Sequence, residues 1–215
     1  MYPAGNLFIP AEHGQLEAIL KEPGNGAQSR VALVLHPHPL GGGTMHNKVV
    51  FRAASALNDA GLIVLRINFR GVGQSTGVHD EGRGELEDVR TALAYLATNY
   101  QREPIILCGF SFGARVGLEV GMADNRVREL ISIGTPVDKY DFGFLRTCDK
   151  PILFVHGDKD EFGNVQRLQE LVRAIASHND KVELQIIKGA DHFFAGHLDQ
   201  LKQVITDWTR LQLKL

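Results

Sequence analysis

Cysteine, net charge and long apolar runs are all scarce in this sequence, and each shortage argues against a class of protein. Of 215 residues only Cys108 and Cys148 are cysteines, so a disulfide framework is not indicated. Cys108 ends an apolar run, where a buried and unreactive thiol is expected. A formal net charge of -2 gives no sign of a nucleic-acid-binding or polybasic membrane surface. No apolar stretch approaches the length of a membrane span.

Linkers and leader-like segments are missing as well. No Pro/Ser-rich stretch or charge block divides the chain, so residues 1–215 are expected to form a single domain that buries most of its apolar surface. The first ten residues have neither a basic start nor a long apolar core, which does not fit a secretory signal peptide. We therefore expect a cytoplasmic protein.

Short apolar runs alternate along the chain with segments of helical periodicity. Residues 31–35, for example, are continuously apolar, as in a strand buried on both faces. Such alternation predicts an α/β fold, with a mainly parallel sheet and helices on both faces. The predicted strands are residues 7–9, 15–20, 31–35, 62–69, 104–109, 129–133, 152–155 and 182–187. The predicted helices are residues 47–60, 85–100, 114–121, 165–177 and 198–213, and residues 22–30 are predicted to be a surface loop.

A serine stands in a G-x-S-x-G pattern, residues 109–113, between a predicted strand and a predicted helix. This order of strand, pattern and helix is the layout of a nucleophile elbow. Glycine is needed at both flanking positions because the turn is so sharp that a Cβ there would clash. Ser111 would then adopt a strained backbone conformation with its hydroxyl exposed above the sheet edge. Strain of this kind usually persists where function needs it.

The serine needs two partners further along the chain. Its hydroxyl is a weak nucleophile at neutral pH, so a base must take the proton and a third group must orient the base. In proteins with this type of elbow, the acid and then the histidine follow the serine in the sequence. Asp160 and His192 both follow predicted strands, at the carboxyl edge where such sheets bind ligands. We predict that Asp160 orients the base and that His192 is the base.

Other carboxylates leave the identity of the acid open. Asp158 and Glu161 stand in the same loop as Asp160, and Asp138 follows the preceding predicted strand. We prefer Asp160 over Asp158 because it lies further into the loop and can turn over the site.

The histidine also has a rival. His197 could act as the base, but its position near the start of the last predicted helix favours contact with solvent. Asp191 is adjacent to His192 and would struggle to reach the ring of its neighbour, so we expect it to brace the loop.

An acyl-transfer site also needs an oxyanion hole, in which two N–H donors face the oxygen that becomes negative. The amide of Phe112 is one candidate, because it directly follows the serine at a helix N-terminus. The loop after residue 35 should supply the other. Its two prolines carry no N–H, which leaves His38 and Leu40. We prefer Leu40, because the prolines stiffen the loop and the glycines at 41–43 let the backbone approach a substrate.

Together these segments resemble the α/β-hydrolases, over nearly the whole chain. The resemblance implies an α/β-hydrolase fold and a Ser-Asp-His hydrolase that acts on esters or related acyl compounds. It extends to a subgroup of small bacterial hydrolases related to dienelactone hydrolases. The segments that carry the match are residues 36–48, 66–75, 109–113, 156–160 and 189–192.

Two departures from the family pattern limit what the resemblance implies. Dienelactone hydrolases proper have a cysteine nucleophile, so lactone specificity does not carry over to Ser111. Many α/β-hydrolases have a helical lid after the strand that corresponds to residues 129–133. Here only residues 134–150 precede the next predicted strand, so no lid domain is expected and the site should be open.

We therefore expect a serine hydrolase that cleaves small soluble carboxylic esters through an acyl-enzyme. Thioesterase or small amidase activity is an alternative of the same class, and a non-catalytic module that binds a ligand or a partner is an alternative of a different class. No cofactor or metal is expected, since the histidines at 36, 38 and 46 have no carboxylate or cysteine at ligand spacing. The partner is expected to be a small acyl substrate, not a nucleic acid or a membrane. An edge strand at residues 7–9 leaves a homodimer open.

Overall fold

An eight-stranded sheet organises the chain in a computed structural model that describes residues 7–23, 30–101 and 103–213. The strands lie in the order β1-β2-β4-β3-β5-β6-β7-β8. The first two strands are antiparallel to their neighbours and all other pairs are parallel. The strands are β1 (Leu7–Ala11), β2 (Gly14–Lys21), β3 (Val31–Leu35), β4 (Ile63–Ile67), β5 (Ile105–Phe110), β6 (Val127–Ile133), β7 (Ile152–Gly157) and β8 (Val182–Ile187).

Helices cover both faces of the sheet. On one face α1 (Lys48–Asp59) and α5 (Leu198–Leu213) pack against each other and against the sheet. On the other face lie α2 (Arg83–Asn99), α3 (Phe112–Ala123) and α4 (Val165–Ala176). Every residue of β3, β4 and β5 is buried, because these central strands have a helix layer on each side.

The predicted fold class is confirmed, and the predicted elements differ from the observed ones mainly at their ends. Helix α2 begins two residues earlier than predicted. The carboxylate of Glu85 accepts hydrogen bonds from the N–H groups of Gly82 (2.8 Å) and Asp80 (3.1 Å), and these bonds cap the N-terminus of α2 ahead of residue 85. Helix α3 begins at Phe112, directly after the elbow serine, and not at residue 114. The predicted strand at residues 182–187 and the predicted helix at residues 198–213 agree with β8 and α5.

The connection between β6 and β7 contains one short 3-10 helix, Gly143–Thr147, and no lid domain. Among the described residues, no helix is long and apolar enough to span a membrane. Two predictions fall partly outside the described residues. These are the surface loop, of which residues 24–29 are not described, and the expected lack of a leader peptide in residues 1–10, of which residues 1–6 are not described.

Candidate active site

Strand β5 turns sharply into helix α3 at Ser111. This serine has φ 57° and ψ -118°, a positive φ that residues with a side chain rarely adopt. A Cβ on Gly109 would lie 2.3 Å from the carbonyl oxygen of Gly113, and a Cβ on Gly113 would lie 2.5 Å from that of His36. The predicted need for glycine on both sides of the serine is therefore confirmed, and the strained turn directs the hydroxyl away from the sheet.

Ser111, His192 and Asp160 form one chain of hydrogen bonds. The Oγ of Ser111 lies 2.9 Å from Nε2 of His192, and Nδ1 of His192 lies 2.8 Å from Oδ2 of Asp160. The side chains of His192 and Asp160 are almost fully buried. An ionised carboxylate only accepts hydrogen bonds, so Nδ1 carries the ring proton and Nε2 is left to accept the proton of the hydroxyl. The structure thus brings together the three side chains that were chosen from three separate segments.

The turn after β7 fixes the carboxylate of Asp160. Its Oδ1 accepts hydrogen bonds from the backbone N–H groups of Phe162 (2.8 Å) and Gly163 (3.0 Å), which leaves Oδ2 for His192. These bonds satisfy the buried charge and hold it in one orientation.

Aromatic side chains enclose the imidazole of His192. Its ring centroid lies 5.0 Å from that of Phe110, 4.6 Å from that of Phe162 and 5.2 Å from that of Phe193. A Cβ on Gly134 would come within 3.2 Å of the same ring. Phe110 and Phe162 were not singled out from the sequence as neighbours of the base, because nothing in their local pattern distinguishes them from ordinary core residues.

The rival acids all have other partners. Oδ1 of Asp158 accepts a hydrogen bond from the N–H of Gly189 at 2.6 Å, which ties the acid loop to the histidine loop. Asp138 pairs with Arg167 at 2.6 Å, and this contact lowers the pKa of the Asp138 carboxyl. Glu161 contacts the backbone N–H of His192 at 3.4 Å, not its ring.

The residues around the histidine brace its loop. Oδ1 of Asp191 accepts a hydrogen bond from the N–H of Ala195 at 2.9 Å, in agreement with the bracing role expected for it. The ring of His197 donates from Nδ1 to the carbonyl of Ala195 at 2.8 Å. The structure therefore places His192 against the serine and His197 within its own turn.

A second buried histidine, His156, stands behind Asp160. Its Nε2–H donates to the carbonyl of Gly163 at 2.6 Å. Nδ1 has no hydrogen-bond partner among the described residues and lies 3.7 Å from Oδ2 of Asp160. Burial lowers the pKa of His156, so its ring is neutral and Nδ1 presents a lone pair. No spacing in the sequence indicates this contact of His156 with the acid, because it depends on the path of the turn.

The loop after β3 favours His38 over Leu40, the residue preferred from the sequence, as an oxyanion donor. The N–H of Leu40 already donates to Nδ1 of His38 at 3.2 Å, and the Leu40 side chain is 78% exposed, outside the cavity lining. The N–H groups of residues 41–43 are bonded to carbonyls of the same loop. Within the part of the chain that the structure describes, the backbone N–H groups of His38 and Phe112 have no protein acceptor.

His36 anchors this loop to the neighbouring strand. Its Nδ1–H donates to the carbonyl of Pro37 at 2.6 Å, and its Nε2 accepts from the N–H of Phe69 at 3.0 Å. Burial lowers the pKa of His36 to about 4, so the ring stays neutral and keeps both bonds. Across residues 7–23, 30–101 and 103–213, no group of three or more His, Cys, Asp or Glu residues could hold a metal ion.

A cavity of about 410 Å³ opens beside the serine. The loop after β3 forms one wall, and the loops after β6, β7 and β8 form the others. The lining is mostly apolar, with few polar groups, which is the usual make-up of a small-molecule site. The lining residues with side chains other than glycine and proline are His38, Asn47, Ser111, Phe112, Lys139, Tyr140, Phe162, His192 and Phe193.

An α/β sheet with a serine on a strained elbow, next to a histidine and a buried carboxylate, defines the class of α/β serine hydrolases. A family model described as an alpha/beta hydrolase domain matches residues 30–207. The chain therefore belongs to the alpha/beta hydrolase family, as the resemblance in its sequence implied.

Similar proteins support the same class. An alpha-beta serine hydrolase homologue from Coxiella burnetii is 38% identical, with a TM-score of 0.89 over 96% of this chain and 98% of that one. A serine hydrolase without a lid from Xanthomonas campestris is 31% identical, with a TM-score of 0.87 over 99% of this chain and 97% of that one. An uncharacterised protein of Rickettsia prowazekii is 40% identical over 83% of this chain and 77% of its own length. The lidless form of the fold is thus shared with a solved structure.

Proposed function

We propose that this hydrolase cleaves small soluble carboxylic esters, with Ser111 as nucleophile, His192 as general base and Asp160 as the acid that orients the base. The observation that carries the proposal is the continuous hydrogen-bond chain of 2.9 and 2.8 Å that ends at a hydroxyl facing a cavity. This chain gives the serine a base within reach and gives the base a fixed tautomer, which are the two requirements for activating a hydroxyl.

The reaction proceeds in two halves. In the first, His192 takes the proton of Ser111 as Oγ attacks the ester carbonyl, and the oxygen of the tetrahedral intermediate accepts hydrogen bonds from the N–H groups of His38 and Phe112. The imidazolium, stabilised by Asp160, then gives its proton to the leaving alcohol as the C–O bond breaks. In the second half, water gives a proton to His192 and attacks the acyl-enzyme, and collapse returns that proton to Ser111 and releases the acid.

Short esters suit this site better than long ones. The cavity measures about 410 Å³, and the connection after β6 provides no domain that could enclose a long acyl chain. Tyr140, Phe162 and Phe193 line it with aromatic surface. Thioesters and small amides remain alternatives of the same class, since the same acyl-enzyme chemistry serves all three.

A fluorophosphonate probe tests the nucleophile directly. We expect a covalent label on Ser111 by peptide mapping, no label in Ser111→Ala, and strongly reduced labelling in His192→Ala. Ser177→Ala is a matched control, because the exposed Ser177 hydroxyl lies outside the cavity lining and donates to the carbonyl of Ala174 at 2.8 Å. A folded protein that takes no label on Ser111, and does not hydrolyse 4-nitrophenyl acetate, would instead support a non-catalytic module.

We also propose that the chain forms one domain that can pair through its sheet edge as a homodimer. Among the described residues, β1 is hydrogen-bonded to β2 alone, and Phe8 on this strand is 39% exposed. An open edge of this kind is a template for pairing with a second copy. Light scattering should give the mass of a dimer, and Phe8→Lys should shift it toward the monomer. A monomeric mass for the unaltered protein would reject the dimer.

A further inference from the structure

The charge of the cavity lining is one-sided. Among the residues that line the cavity, Lys139 carries a permanent formal charge. None of the described aspartates or glutamates lines the cavity. A substrate with a positive group would meet an ammonium and no counter-charge, whereas a negative group would meet an attractive partner.

Lys139 has no ion-pair partner among the residues that the structure describes. Its adjacent carboxylate, Asp138, instead pairs with Arg167 and accepts a hydrogen bond from the N–H of Asn164 at 2.7 Å. The Nζ of Lys139 stands 5.8 Å from the ring centroid of Phe162, the residue that also packs against the base. The aromatic ring favours a cation at this wall of the cavity but does not neutralise its charge.

The other polar side chains of the lining are rich in donors. Oδ1 of Asn47 accepts from the N–H of Val49 at 2.9 Å, and its amide NH₂ has no partner among the described residues. Burial raises the pKa of Tyr140, so its hydroxyl keeps its proton. Nδ1 of His38 accepts from Leu40, so the neutral ring carries its proton on Nε2. A substrate that brings extra acceptor oxygens therefore matches the lining.

We propose that the substrate of this site is an ester that carries a carboxylate in addition to its scissile bond, and that Lys139 binds this carboxylate. The inference rests on the proposed ester hydrolysis and narrows it to acidic esters. The carboxylate can belong to the acyl part, as in a half-ester of a dicarboxylic acid, or to the alcohol part, as in an ester of a hydroxy acid. In both cases the contact is a charge-assisted hydrogen bond to the exposed ammonium of Lys139, and its strength falls as the ionic strength rises.

Two matched pairs of esters test the inference and separate the two sources. The acyl-side pair is the 4-nitrophenyl half-ester of adipic acid and its methyl-capped neutral form. The alcohol-side pair is 4-acetoxybenzoate and its methyl ester. For each pair we compare kcat/KM of the acidic and neutral members. In at least one pair, Lys139→Met should lower the ratio of acidic to neutral kcat/KM roughly tenfold, mainly through KM, because the carboxylate is bound before and during the reaction.

Lys159→Met is the control for a general change of charge. Lys159 is exposed and lies outside the cavity lining, so its loss should leave both ratios unaltered. Higher ionic strength should shrink the preference of the unaltered protein, since it depends on charge.

The outcomes distinguish the two claims. Neutral esters cleaved by a Ser111-dependent reaction, with ratios that Lys139→Met leaves unchanged in both pairs, would overturn the preference for acidic esters alone. Rates for all four esters that match those of Ser111→Ala would overturn the ester hydrolase and the inference with it.

Discussion

At the scale of single residues, the two oxygens of Asp160 have different partners. Oδ1 accepts two backbone N–H groups of the turn, and Oδ2 accepts Nδ1–H of His192. An asparagine can reproduce the first set of bonds with its carbonyl oxygen, but it then presents an NH₂ to the ring. The imidazole would have to accept at Nδ1 and carry its proton on Nε2, where it could no longer take the serine proton.

Asp160→Asn should therefore keep the fold and lose activity, with kcat falling on the order of a thousandfold or more. Esterase kinetics measure the loss, and thermal unfolding followed by circular dichroism checks the fold. Asp158→Asn is the control, because Asp158 bonds the N–H of Gly189 and not the ring. A larger loss of kcat in Asp158→Asn than in Asp160→Asn would contradict the assignment of the acid.

The oxyanion donor can be tested by removing one N–H. Leu40→Pro deletes the N–H that now donates to His38, at the second position of a 3-10 helix, where this N–H makes no bond within the helix. If His38 and Phe112 supply the donors, kcat should fall less than about tenfold. Loss of a direct donor typically costs about a hundredfold or more. A hundredfold fall in kcat with KM unchanged would instead support the Leu40 N–H as the second oxyanion donor.

At the scale of elements, close approach between α3 and the sheet holds the elbow. A Cβ on Gly113 would meet backbone atoms of Leu35 and His36, and a Cβ on Gly117 would lie 2.7 Å from Cδ2 of Leu107. Glycines on one face of α3 let the helix axis come near β3 and β5. The N-terminus of α3 is thereby held beside the loop after β3, so the position of the Phe112 N–H depends on how closely α3 packs against the sheet.

Gly113→Ala should destabilise the protein by about 3 kcal/mol, because backbone atoms must shift to admit the methyl group. Gly41→Ala should have little effect on stability, since the nearest atom to its added Cβ would be the Cβ of His38 at 3.9 Å. Urea unfolding measures both free energies. Equal stabilities for the two variants would show that α3 can move away from β3 at low cost.

The sequence predicts the elements well because each depends on local or periodic signals. Continuous apolar runs predicted β3 and β5, and the two glycines predicted the turn between β5 and α3. Chain order and the carboxyl-edge rule pointed to Asp160 and His192, but they left Asp158, Glu161 and Asp138 open as rival acids. By contrast, the choice between His38 and Leu40 depended on a side chain that folds back onto its own loop. The contact of His156 with Asp160 depended on the path of a turn, which no spacing rule encodes.

At the scale of the whole molecule, His36 joins parts of the chain that lie far apart in sequence. It follows β3, its ring bonds the N–H of Phe69 after β4, and it holds the loop that carries His38. The neutral ring is needed, because protonation of Nε2 would turn the acceptor of the Phe69 bond into a donor. Stability of the fold and geometry of the cavity wall therefore depend on the same uncharged imidazole.

This dependence predicts a loss of stability in mild acid. The pKa of His36 is about 4 in the folded protein against 6.5 as the ordinary value, so below pH 6.5 the unfolded chain binds a proton that the folded chain does not. The contribution of His36 to the free energy of unfolding is complete above pH 6.5 and is lost as the pH falls toward 4, by about 3 kcal/mol in all.

Urea unfolding between pH 7 and 5 should show this fall in the free energy of unfolding as a slope against pH. His36→Gln keeps a donor and an acceptor but does not titrate, so it should reduce the slope. His156 acts in the same direction in both proteins, so the slope shrinks without vanishing. His46→Gln is the control, because it removes an exposed histidine and should leave the slope unchanged. An identical slope in His36→Gln and the unaltered protein would mean that the buried His36 ring takes up its proton without cost to the fold.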